Sequence, residues 1–178
     1  MDNGACSYRR YLEGDEAAFE DIVNELFDNL VFFINRYVHD LPTAEDLAID
    51  TFTELIVHKR RYDFRVSLKT YLFMIGRSRA LTFLKRRKPT VPYEAVGEPA
   101  DHSFEELLLR EEQKQLVNAA LSRLPEEMRI AVHLIYFEEL SYEEAARVMK
   151  KNRKQVDNLL YRAKKELRII LRKEEVLL

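Results

Sequence analysis

The sequence predicts an all-α protein of two small helical domains joined by an acidic, proline-containing linker. Three observations predict it. Gly and Pro are scarce, at four and five residues in 178. Apolar residues recur at i, i+3 and i+4 over long stretches, and sustained strand-like alternation is absent. One segment, 89–103 (PTVPYEAVGEPADHS), breaks the helical rhythm with three prolines and a glycine, the composition of an extended tether. The expected boundaries are 1–88, 89–103 and 104–178. At 47% hydrophobic residues the chain can build real cores.

The elements follow in order. Residues 1–13 can begin a helix. Gly14-Asp15-Glu16 marks a helix start, and Phe19, Ile22, Val23, Leu26, Phe27, Leu30, Phe33, Ile34, Tyr37 and Val38 form a wide apolar stripe. Leu41-Pro42 is read as its end. Thr43 is expected to cap the next helix, with Asp46 completing a capping box and Leu47, Phe52, Leu55 and Ile56 facing inward. The other side of that helix carries Glu45, Asp46, Asp50 and Glu54. This is either solvated acid near a helix N-terminus or a docking face for a basic partner.

Arg60–Val66, RRYDFRV, interleaves two aromatics with cations. That pattern suits single-stranded nucleic acid, where bases stack on rings and cations hold the backbone. Burial of Tyr62 and Phe64 beneath the next helix explains it equally well. Ser67 is expected to cap the third helix, lined by Leu68, Tyr71, Leu72, Ile75, Leu81 and Leu84. Its C-terminal half carries Arg77, Arg79, Lys85, Arg86, Arg87 and Lys88, more cations than the helix dipole calls for. Pro89 stops it.

After the linker, Ser103 and Glu106 resemble a capping box. Leu124-Pro125 punctuates the chain, with Pro125 suited to a first helical turn. Met128, Ala131, Val132, Ile135 and Tyr136 follow at helical spacing. Ser141 and Glu144 open a short helix with a small-residue face, and Lys150-Lys151-Asn152 breaks it. Asn152 then caps a longer helix whose inner positions are Val156, Leu159, Leu160 and Ala163. The opposite face offers Arg153, Lys154, Gln155, Asp157, Asn158 and Arg162. A short helix, a tight turn and a basic helix form a helix-turn-helix pattern. Arg can pair with guanine, Asn and Gln with adenine, and Asp157 can accept from cytosine.

The net charge of −2 hides segregation. Residues 77–88 hold only basic ionisable groups, 94–112 are acidic apart from Arg110, and 147–173 are basic apart from Asp157 and Glu166. Two basic surfaces separated by an acidic tether are expected. The single cysteine, Cys6, rules out an internal disulfide, and no basic leader or long apolar run is present, so a cytoplasmic protein is expected. The four histidines lack metal-ligand spacing, and no glycine-rich phosphate loop occurs. No enzyme activity and no metal or cofactor is expected.

In this order the parts resemble a bacterial sigma factor of the extracytoplasmic-function type, in the sigma-70 family. Residues 15–88 resemble its region 2. Thr43-Ala44-Glu45-Asp46-Leu47 and Asp50-Thr51-Phe52 match the family's polymerase-binding helix. Phe64-Arg65, Ser67 and Lys69-Thr70-Tyr71-Leu72 match the segment around its melted-strand loop. Residues 121–171 resemble region 4, through Leu124-Pro125, Arg129, Glu139-Leu140-Ser141-Tyr142-Glu143-Glu144, Ala146, Val156 and Arg162-Ala163-Lys164. The family's usual tryptophan is Tyr71 here.

The resemblance implies a promoter-specificity subunit that binds core RNA polymerase through Glu45, Asp46, Asp50 and Thr51. It implies −35 contacts by Arg153, Lys154, Gln155, Asp157, Asn158 and Arg162. It also implies −10 contacts by Tyr62, Phe64, Arg65, Lys69, Thr70, Tyr71, Arg77, Arg79, Lys85, Arg86 and Arg87. Promoter DNA and core polymerase are the expected partners, and an anti-sigma protein is a further candidate. The competing reading is a stand-alone helix-turn-helix regulator with a helical sensing or dimerisation domain.

Overall fold

The computed structural model describes residues 3–86 and 117–175, with side chains to residue 171. The expected linker and the capping box at Ser103 lie outside the described residues. The regular elements among the described residues are helices, with no strand among them. The chain divides into two compact units, Met1–Ala95 with Glu143–Lys151, and Val96–Tyr142 with Asn152–Leu178.

The first unit holds α1 (Asn3–Leu12), α2 (Ala17–Val38), α3 (Leu41–Val57) and α4 (Leu68–Arg86). The apolar stripe of α2 makes it the central helix, packed against α1, α3 and α4. Ile22, Leu30, Phe33 and Ile34 are fully buried, and each such side chain contributes about 1.5–3 kcal/mol relative to exposure. Phe33 meets Phe73 of α4 with ring centroids 4.6 Å apart. Gly76 lets α4 approach α2 closely, because a Cβ there would lie 2.9 Å from Leu30 Cδ1 and 3.2 Å from Ile34 Cδ1. The inner face of α4 therefore includes Phe73, Gly76 and Ala80 beside the expected Leu68 and Leu72.

Leu41-Pro42 does not close α2 but opens α3. His39 ends α2 in the left-handed region at φ 53°. Asp40 then caps α3, accepting from the Thr43 N–H at 3.1 Å. Proline is tolerated there because a first-turn N–H has no intrahelical acceptor. The cap expected at Thr43 thus lies three residues earlier. Ile56, expected inside, is 40% exposed, since it follows the buried Leu55 by one 100° step around the helix. Ser67 caps α4 as expected, accepting from Thr70 N–H at 3.2 Å.

The second unit includes a helical segment at 117–122, α5 (Glu126–Val132) and a π-helical turn (His133–Phe137). Leu121, Leu124, Met128 and Ala131 are buried. The π turn adds a residue to the local repeat. Tyr136, read with Met128, Ala131, Val132 and Ile135 at helical spacing, is 51% exposed there, while His133 and Leu134 are buried. His133 Nε2 lies 3.0 Å from Glu138 Oε1, both side chains buried.

Along the chain α6 (Tyr142–Met149) and α7 (Arg153–Glu175) follow. Ala145, Ala146, Val148 and Met149 are the buried residues of α6. Lys150 closes α6 at φ 53°, and Lys151 N–H reaches back to Ala146 O at 2.9 Å, a Schellman turn. α7 packs on α5 through a face that includes Val156, Leu160 and Ala163.

Candidate nucleic-acid and polymerase interfaces

The outward face of α7 carries Arg153, Lys154, Gln155, Asp157, Asn158 and Arg162, all exposed as the periodicity expects. Tyr161 joins them at 71% exposure. Sequence reading passed over it because an aromatic beside Leu160 reads as core. Its place four residues after Asp157 was the available signal. Asn152 and Gln155 form a reciprocal capping box. Asn152 Oδ1 accepts from Gln155 N–H at 2.9 Å, and Gln155 Oε1 accepts from Asn152 N–H at 2.8 Å. The Gln155 carbonyl oxygen is thus engaged in starting the helix.

In the first unit the 58–66 loop is built inward from its aromatics. Tyr62 is 3% exposed and donates its hydroxyl to Val66 O at 2.7 Å. Its ring meets Phe64 at 4.6 Å and Tyr71 at 5.0 Å. Tyr8 of α1 is fully buried and donates to Leu55 O at 3.0 Å or Lys59 O at 3.1 Å, acceptors left over at the end of α3. Burial pushes the Tyr8 phenol up to about 12, and burial likewise raises Tyr71. Phe64 sits at φ 61° with Arg9 Cζ 4.7 Å from its ring centroid. Asp63 accepts from Arg65 N–H at 3.1 Å, and the Arg65 side chain is 86% exposed.

The residues expected to meet a melted strand therefore divide. Tyr62 and Thr70 are buried and form no part of the exposed surface. Packing against Tyr8 covers the first, and the hydroxyl of the second is hydrogen-bonded to Ser67 at 2.7 Å. Phe64, Lys69, Tyr71 and Arg77 are half-buried, while Arg65, Lys85 and Arg86 are exposed. Arg79 points to α3 instead, donating to Glu54 at 2.8 Å and to Asp50 at 3.3 Å. Glu54 also accepts from Arg61 at 2.9 Å. Arg87 lies outside the described residues.

The outer face of α3 presents Glu45, Asp46 and Asp50. It also presents Leu41, Ile49, Ile56 and Val57 at 40–66% exposure, an apolar component that reading for charge alone missed. Thr51, expected on this face, is fully buried and donates to Leu47 O at 2.8 Å. It lies on the buried side of α3, away from the exposed Ile49. No helix is long and apolar enough to cross a membrane, and no cluster of metal-ligating side chains occurs, among the described residues.

Two family models match the two halves in order. Sigma-70 region 2 matches residues 27–90, and sigma-70 region 4 matches residues 114–167. The chain belongs to the sigma-70 family, in its extracytoplasmic-function branch. It is 26% identical over 153 residues to the ECF RNA polymerase sigma factor SigM of Bacillus subtilis, covering 84% of this chain and 93% of that one. It is 29% identical over 170 residues to the RNA polymerase sigma-H factor of Pseudomonas aeruginosa, covering 89% and 88%. Its fold is that of the sigma factor RpoE solved in complex with the anti-sigma factor NepR from Bartonella quintana. There the TM-score is 0.68 at 23% identity, over 86% of this chain and 96% of that one. Within this sigma factor, α3, α4 and their loop lie in the region-2 match, while α6 and the first four turns of α7 lie in the region-4 match.

Proposed function

We propose that this chain is a promoter-specificity factor that binds core RNA polymerase, reads two promoter elements and supports transcription initiation. The observation that carries this is the pairing, in one chain, of a region-2 unit with a region-4 helix whose exposed face is polar and cationic. In this reading the α7 face meets the −35 major groove. Asn158, Asp157 and Arg162 supply hydrogen-bonding groups toward base edges, and Tyr161 supplies apolar contact. Gln155 acts by starting the helix as much as by touching DNA. Arg65, Lys85 and Arg86 hold phosphates near the −10 element, which makes binding salt-dependent. The chain carries no reaction of its own.

Core polymerase docks on the α3 face, where exposed Leu41 and Ile49 alternate with Glu45, Asp46 and Asp50. A mixed apolar and acidic face has more to offer a protein than a purely acidic one, because apolar burial supplies affinity and charge supplies orientation. An anti-sigma protein is a further partner class, as in the RpoE–NepR complex. The competing regulator reading is disfavoured because the N-terminal half matches region 2 of the same family and not a sensing domain.

The test is co-elution with purified core polymerase. The wild-type chain is expected to co-elute. Ile49→Glu is expected to weaken the complex at least about tenfold, because a charge replaces an apolar side chain at the interface. Absence of any complex with wild type sinks the proposal.

A further inference from the structure

We infer that Arg9, on the N-terminal helix, is a nucleobase-stacking residue of the melted-strand site. The inference rests on the promoter reading above and assigns a role to a helix that precedes the region-2 match at residue 27. Three anchors fix the loop beneath it. The Tyr8 hydroxyl reaches Leu55 O at the end of α3 or Lys59 O just beyond it, the Tyr62 hydroxyl holds Val66 O, and Asp63 closes the turn onto Arg65 N–H. Phe64 is held between them at φ 61°, its ring centroid 4.6 Å from Tyr62 and 6.2 Å from Tyr8.

Tyr62 is buried, so it has no exposed face for a base. Phe64 is half-buried, and its ring carries the Arg9 guanidinium at 4.7 Å. Arg9 itself is exposed. Of the pair formed by Phe64 and Arg9, the planar group that stays exposed is therefore the Arg9 guanidinium. A guanidinium plane stacks on nucleobases, and its charge attracts the strand's phosphates. Held on Phe64, it has lost rotamer freedom before DNA arrives, which favours binding. The neighbouring Arg10 is differently placed, with its guanidinium donating to Asp15 at 2.6 and 3.0 Å. Sequence reading gave Arg9 no role, because nothing in residues 1–13 shows that this helix returns to the loop fifty residues later.

The experiment uses the holoenzyme, made from the full chain and core polymerase. Fork DNA with a randomised single-stranded segment is enriched with wild type, and the enriched fork then measures each variant. Arg9→Ala is expected to weaken fork binding about tenfold, the scale of stacking on a single base. Arg9→Lys is expected to restore little, because an ammonium has charge but no plane. Phe64→Leu removes the support and is expected to reproduce the effect of Arg9→Ala. Arg10→Ala is expected to stay within about twofold of wild type, as for a surface ion pair. Unchanged binding by Arg9→Ala, or full rescue by Arg9→Lys, overturns the inference while leaving the promoter reading intact. Failure of wild-type holoenzyme to enrich any sequence refutes the promoter reading itself.

Discussion

At the scale of single residues, burial separates side chains that look alike in the sequence. Arg79 and Lys85 are two cations of one helix, yet Arg79 bridges Asp50 and Glu54 and Lys85 is exposed. Arg79→Ala should lower the stability of the first unit by about 1 kcal/mol, the scale of a partly exposed ion-pair network. It should leave the salt dependence of promoter binding unchanged. Lys85→Ala should do the reverse, reducing the salt slope by about 1, the share of one neutralised phosphate. Thermal melts and binding titrations across salt check both. Tyr8 gives a pH prediction. Its folded-state pKa is raised to about 12 from 10, so the folded form holds the proton more tightly than the unfolded one. The stabilisation is complete below pH 10 and is lost as pH rises toward 12. Melting temperature should therefore fall less steeply across that window in Tyr8→Phe than in wild type, from a lower starting value, because the hydroxyl's hydrogen bond to the end of α3 is lost.

Elements show where periodicity succeeds and where it stops. The α2 stripe and the α7 inner face were legible, because each is a long run of one 3.6-residue repeat in which every turn confirms the last. The 133–137 turn was not. A π turn changes the repeat for a few residues, and Tyr136 and His133 exchange the places that an uninterrupted helix would give them. The α2–α3 boundary failed for a different reason. Leu41-Pro42 reads equally as a stop or as a first turn, and the cap at Asp40 decides it. The candidate site was legible where exposure follows from helix phase, as on α7. It was illegible where exposure depends on distant packing, as for Tyr62 beneath Tyr8. Gly76 belongs to this scale too. A Cβ at Gly76 would already press on the buried ends of Leu30 and Ile34, so the larger Gly76→Leu should destabilise the first unit by about 1–3 kcal/mol, the usual cost of overpacking, measured by denaturant unfolding. In the turn before α7, Lys150 holds a left-handed backbone at φ 53°. Lys150→Gly should leave stability unchanged or raise it by up to about 1 kcal/mol, whereas the β-branched Lys150→Val should lower it.

For the whole molecule, the weak net charge of −2 conceals the property that matters. Cations concentrate on α4 and α7, and carboxylates on α3. A chain arranged in this way can meet DNA with two elements and a protein with a third. The function then requires both reading elements at once, which a stand-alone regulator does not. The decisive measurement is transcription by core polymerase from a randomised duplex library, with and without this chain. With the chain, the transcribed templates should share two separated sequence blocks. Asn158→Ala should relax the upstream block and leave the downstream block in place. Templates enriched equally by core polymerase alone, or sharing a single block that Asn158→Ala does not alter, would contradict a two-part promoter reader.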